Sequence, residues 1–275
     1  MTPWWLWWNI LSVDAPTVAL VWAYAFAQTI GEKLSAIEVV ALGLTVWVIY
    51  AGDRLLDSRN AKNCADCQER HRFCARHRTL ICCLILFVAS NTVWIIIEFL
   101  KSRELSAGTG LSAVIALYLV VVHVGPRWVT RAFPKELAVG VLFAAGVTLP
   151  VWYAVTLNWK IWSSIILFAL LCTLNCLSIE AWESRRTSAD TPHLVRWAKP
   201  RIERLAIALA ILAEILSFTH FREKPIDWVL SAIVLAALSI CLLNRFRNWL
   251  SQQALRVLVD IAFVVAGLLV LVIRL

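Results

Sequence analysis

The sequence predicts an all-α, polytopic membrane protein, and three observations carry that prediction. Of 275 residues, 61% are hydrophobic and only 16% charged, against roughly half and a quarter in an ordinary soluble domain. The mean hydropathy of +0.75 is spread along the whole chain, which excludes a soluble domain with one anchor, a disordered chain and a disulfide-stapled secreted module. Stretches such as IALAILAEIL do not alternate polar and apolar positions. That excludes a β-barrel, the other way to satisfy backbone polar groups in lipid.

A helix needs about 20 apolar residues to cover the bilayer core. Uninterrupted apolar stretches place nine spans: Trp4–Ile30, Ser35–Gly52, Thr79–Leu100, Gly108–Gly125, Lys135–Val155, Ile161–Trp182, Ile202–His220, Ile226–Leu243 and Gln253–Ile273. The first stretch lacks the basic flank and small-residue cleavage site of a signal peptide, so it reads as a retained span. No internal repeat interrupts the series, and residues 1–275 read as a single transmembrane domain.

Orientation follows from the basic residues. Seven of the 26 lysines and arginines, Lys33, Lys101, Arg103, Lys160, Arg222, Lys224 and Arg274, follow odd-numbered spans. The other 19 lie in the loops after even-numbered spans, which places those loops and the N-terminus in the cytoplasm and the C-terminus outside a cell membrane. Loop topology therefore accounts for the net charge of +8, and no nucleic-acid partner is expected. Trp4, Trp5, Trp7, Trp8, Trp128, Trp159, Trp228 and Trp249 sit near span ends as interfacial anchors.

Two cytoplasmic loops open with acidic residues where a helix leaves the bilayer. After the second span the chain reads IYAGDRLLDSRN, with Asp53 and Asp57 four residues apart on one helical face. Like charges at that spacing repel, and a divalent cation removes the repulsion. Mg²⁺ suits such a site because it takes one or two carboxylates and fills its other positions with water and phosphate oxygens. The sixth span ends LLCTLNCLSIEAWESRR, where Asn175 and Glu183 share a stripe and Glu180 lies about one turn before Glu183. Two acidic helix ends beneath arginine-rich loops suit a lipid diphosphate, its apolar tail among the helices and its head held by Mg²⁺ and arginine.

This layout resembles the UbiA superfamily of intramembrane prenyltransferases over essentially the whole chain. The family's first motif, Asn-Asp-x-x-Asp-x-x-x-Asp, resembles Ile49 to Asp57: Asp53 and Asp57 match, with Arg54 between them, while Ile49 and Tyr50 replace the first two polar positions. The second motif resembles Asn175 to Glu183. Asn175 matches its start, Glu183 replaces its last aspartate, and its central aspartate falls on Ile179, beside Glu180. The stretch from Lys135 to Pro150 is similar to the family's fifth helix.

The resemblance implies nine helices around a central cavity and a Mg²⁺-dependent transfer of a polyprenyl group from its diphosphate to an acceptor, often aromatic. It assigns metal binding and catalysis to Asp53, Asp57, Glu180 and Glu183. Arg54, Arg131 and Lys135 are expected on the diphosphate, and Asn175 and Asp260 as polar groups of the cavity. Partners are then a polyprenyl diphosphate, a small acceptor and membrane lipid, with no oligomeric state specified. Tyr50, Trp47 and Tyr153 offer aromatic faces to an allylic cation. The alternative is a catalytically silent bundle that binds or carries a lipid or quinone, favoured by the losses at Ile49, Tyr50 and Ile179.

Further intramembrane polar residues are Asp14, Asn91, Glu214 and Asp260. Charges there are costly, about 3 kcal/mol each, and call for partners. Arg256 four residues before Asp260 is the nearest in sequence. The loop NCADCQERHRFCARHR has Cys64, Cys67, His71, Cys74 and His77 as an outside candidate for zinc, but the spacing is compressed. Reduced thiols on a basic loop capping the diphosphate site are the expected role.

Overall fold

The structure is a computed structural model that describes residues 3–58, 69–126, 133–152, 159–183, 192–219 and 224–273. The described elements are all helical. A 3₁₀ turn, Trp4–Leu6, runs into the short helix α1, Trp7–Ile10. The remaining helices are α2 Asp14–Thr29, α3 Ala36–Asp57, α4 Glu69–Arg76, α5 Arg78–Phe99, α6 Ser102–Val124, α7 Lys135–Trp152, α8 Trp159–Glu183, α9 His193–Ala198, α10 Ile202–Thr219, α11 Lys224–Arg245 and α12 Gln252–Ile273. Seven of them, α3, α5, α6, α7, α8, α11 and α12, are long and apolar enough to cross a membrane, and the bent pair formed by the N-terminal segment and α2 raises the number to eight. The chain is thus a multi-pass membrane protein. Helix α10 is 18 residues long but carries Glu203, Arg204 and Glu214.

The first expected span is not continuous. The chain bends by 77° between Ile10 and Asp14, where Ser12 takes a left-handed φ of 60°. Two polar side chains near the break, Asn9 and Ser12, bond to groups of other segments, and Asp14 and Pro16 open a fresh helix. Helix ends elsewhere follow ordinary capping physics. Ser35 and Glu38 form a reciprocal capping box that starts α3. Gly31, at φ 75°, stops α2 by a left-handed turn in which Glu32 N–H returns to the Ala27 carbonyl.

Helix α2 is the hub. It packs against α3, α7, α11 and α12, and its Trp22 stacks on Phe168 of α8 with ring centroids 4.5 Å apart while donating a hydrogen bond to the Phe263 carbonyl of α12 at 3.1 Å. Trp22, Phe26, Phe168 and Phe263 thereby fill the middle of the bundle. A side chain of that size buried in full contributes roughly 1.5–3 kcal/mol in water. In lipid the gain comes from close packing. Close packing is visible where α7 crosses α8: a Cβ on Gly140 would lie 2.5 Å from the Thr173 backbone nitrogen, so only glycine fits. Helices α5 and α6 form the rim. Helix α5 touches the rest chiefly through α3, and α6 through α7.

Candidate functional site at the charged end of the bundle

The C-terminal ends of α3, α6 and α8 and the N-terminal ends of α2, α7 and α12 bring their charged side chains together at one end of the bundle, beside α1 and α4. Most of these charges sit in two adjoining halves, one rich in arginine and one rich in carboxylate.

The arginine half is buried and closely bonded. The Arg54 guanidinium, 3% exposed, pairs with Asp14 at 2.9 Å, donates to the Ser12 hydroxyl at 3.1 Å and to the Asn9 carbonyl, and lies 4.2 Å over the Tyr50 ring. Asn9 donates to the same Asp14 oxygen at 2.6 Å. Arg256 of α12 donates to the Tyr50 hydroxyl at 2.9 Å and to Glu183 at 3.1 Å. Arg70, from α4, takes the other Glu183 oxygen at 3.2 Å. Burial, with the like charge of Arg256, pulls the Arg70 guanidinium down to about 10 against the pull of Glu183, which leaves it cationic at neutral pH. A cavity of about 20 Å³ lies among Asn9, Arg70, Glu183, Gln253 and Arg256, with Leu6 and Ile10 as its apolar wall. That is room for about one water.

The carboxylate half is more open. Asp53 and Asp57 are 32% and 53% exposed and share one partner, His123 of α6. Asp53 is hydrogen-bonded to His123 Nε2 at 2.9 Å. The other ring nitrogen stands 3.9 Å from Asp57. Across the gap, Lys135 at the start of α7 lies 3.7 Å from Glu180 and 3.9 Å from Glu136. Asp57 is within electrostatic reach of both Lys135 and Arg70, so the two halves adjoin.

The expected residues distribute as follows. Asp53, Asp57, Lys135, Glu180 and Glu183 all reach this end. Arg54 does too, but it faces inward onto Asp14, a buried guanidinium bonded also to Ser12 and Asn9, rather than toward the open carboxylates. Arg131 lies outside the described residues. Ile179 packs on the apolar core and Glu180 turns toward α7, 25% exposed. Asn175 has its carbonyl oxygen buried without a hydrogen bond. Asp260, half-buried one turn after Arg256, lies in electrostatic reach of Asp14 and Arg256, while the guanidinium of Arg256 bonds to Glu183 and Tyr50 instead. Cys64 and Cys67 lie outside the described residues. Cys74 is buried on α4, and its burial pushes the thiol up and keeps it protonated.

Sequence reasoning missed three members, Asn9, His123 and Glu136. His123 had a signal, a histidine closing an apolar run. Glu136 is 3% exposed, and both its oxygens lack a hydrogen bond.

The fit to Mg²⁺ is one-sided. Asp53 and Asp57 offer two adjacent, accessible carboxylates, as one Mg²⁺ requires. Glu183 is clamped by two guanidiniums and Glu180 is neutralised by Lys135, which does not suit a second ion. Among the described residues no group of three or more histidine, cysteine or acidic side chains is arranged around a common metal position. No family model, curated protein or solved structure matches this chain.

Proposed function

We propose that the chain is a Mg²⁺-dependent intramembrane prenyltransferase with a nine-span, UbiA-type bundle, moving a polyprenyl group from its diphosphate to a small aromatic acceptor. The observation that supports this reading is the division of the charged end. An open pair of carboxylates, Asp53 and Asp57, lies in electrostatic reach of two cations, Lys135 and Arg70, and a metal diphosphate requires both kinds of group. The site lies where helices leave the apolar layer, so a lipid reaches it with its head in the charged end and its chain along the bundle.

In this reading Asp53 and Asp57 hold Mg²⁺, which supplies charge neutralisation to the departing diphosphate. His123 fixes the Asp53 carboxylate. Lys135 and Arg70 orient the phosphate oxygens, and Glu183, held by Arg256, positions Arg70 before the substrate arrives. Glu180 sets the position of Lys135 and binds no metal itself. Tyr50, tethered between Arg256 and Asp14, presents an aromatic ring beside the site. The protein sits in a cell membrane with its N-terminus cytoplasmic and its C-terminus external.

A second reading, a silent bundle that binds or carries a lipid or quinone, is favoured by the clamped Glu183 and the aromatic packing of the centre. One experiment separates the two: purified protein is incubated with labelled prenyl diphosphates of several chain lengths and an aromatic acceptor, with Mg²⁺ or with EDTA, and diphosphate release is measured. Release that depends on Mg²⁺ is expected. Binding without release at every length supports the carrier.

A further inference from the structure

Helix α5 contains a polar residue that the bundle does not use. Its inner side packs on α3 and includes the buried Thr92. On another side it exposes Leu80 (68%), Leu84 (46%), Phe87 (67%) and Trp94 (59%). These positions, together with exposed Asn91, are spaced four, three, four and three residues apart. That is the spacing of the seam of a two-stranded, left-handed helix pair, and Asn91 at an inner position distinguishes it from the equally exposed line through Leu86, Val93 and Ile97. The Asn91 amide donates to the Phe87 carbonyl at 2.7 Å, which leaves its carbonyl oxygen and one amide hydrogen without a partner in the described structure. Asn91 is eight residues from the end of α5, about 12 Å along the axis. Water does not reach that depth, and lipid chains offer no hydrogen bond.

We propose that this face binds a second copy of the chain, forming a two-fold homodimer with its axis along the membrane normal. A carboxamide carries both a donor and an acceptor, so two Asn91 residues facing each other across the axis satisfy one another. Both copies share one topology, which makes the paired α5 helices parallel and brings each seam residue opposite its own counterpart. A single asparagine in an apolar seam also fixes register, because sliding by one turn leaves both amides unpaired. The proposal is independent of the catalytic reading, since α5 carries none of the residues placed at the charged end.

The test uses the full-length protein in liposomes, labelled at a loop position and counted by single-molecule photobleaching over a range of protein-to-lipid ratios. A dimer is expected, with association weakened about tenfold or more in Asn91→Leu and little changed in Asn91→Gln, which keeps donor and acceptor. Oxidative cross-linking supplies the geometry: Phe87→Cys and Trp94→Cys, in a background with Cys82 and Cys83 replaced by serine, should form disulfide-linked dimers, and Ile81→Cys should not. A protein that stays monomeric at every ratio, an Asn91→Leu variant that dimerises as well as the native chain, or cross-links through Ile81→Cys alone would each overturn the proposal. The first of these means that lipid covers the face.

Discussion

Asp14 and Arg54 sit 1% and 3% exposed, 40 residues apart in the chain, and neither has a path to water. Removing one partner of such a pair strands the other, at a cost of about 3–5 kcal/mol. Asp14→Ala is therefore expected to lower the unfolding temperature of the detergent-solubilised protein steeply, and a variant as stable as the native chain would show that Arg54 finds a substitute acceptor. Asp53 differs because it is open and its partner is a histidine. Asp53→Asn keeps the hydrogen-bonding shape, removes a charge from the proposed metal position, and should cost at least about 100-fold in turnover with folding intact. Normal turnover in that variant refutes the assignment of Asp53 to the metal. The family resemblance pointed to Glu180 and Glu183 as metal ligands, whereas the folded chain sets Lys135 beside Glu180 and two arginines on Glu183. Glu180→Gln is expected to retain most turnover, with Lys135 less well placed. Glu183→Gln should instead destabilise by about 3 kcal/mol, through the exposed mismatch of two buried guanidiniums. Measuring turnover and unfolding on the same preparations separates a ligand from a spacer.

Helices were legible in the sequence because a span needs about 20 apolar residues, a signal that no neighbour overrides. Among the described residues the expected apolar runs fall on helices, seven or eight of them long and apolar enough to span, Ile202–Thr219 not among them. The exception is the bend at Ser12, which depends on partners far along the chain. Side-chain pairing was not legible for the same reason. Arg256 has Asp260 one turn away, yet it bonds to Tyr50, 206 residues distant, and to Glu183, 73 residues distant. Local spacing tells which residues share a face and says nothing of what that face meets. The α7–α8 crossing is a further case, since a glycine in an apolar run signals neither contact nor bend until the partner helix is known. There Gly140 meets the backbone of Thr173. Gly140→Leu should force the two helices apart and cost about 1–3 kcal/mol or more, read as a drop in thermal stability in detergent. Gly108→Leu is the control: a Cβ there meets nothing within 4 Å, so stability should hold.

For the molecule as a whole, the charged end has to face one side of the membrane, and the balance of basic residues assigns that side. The ends of α3, α6 and α8 and the starts of α7 and α12 carry Arg54, Lys135 and Arg256 together with the carboxylates, and α4 adds Arg70, Arg72 and Arg76. If lysine and arginine are retained on the cytoplasmic side during insertion, as is usual for such loops, the proposed site faces the cytoplasm. For the proposed transferase that placement would let a soluble acceptor and Mg²⁺ enter from inside the cell while a prenyl chain approaches through the bilayer. Lys101, at the turn between α5 and α6, is 86% exposed and belongs to the opposite end. In a background with native cysteines replaced, Lys101→Cys should react with a membrane-impermeant maleimide in intact cells. Arg76→Cys, exposed on α4, should react only after the membrane is opened. The reverse pattern would put Asp53, Asp57 and the arginines outside the cell and overturn the proposed orientation.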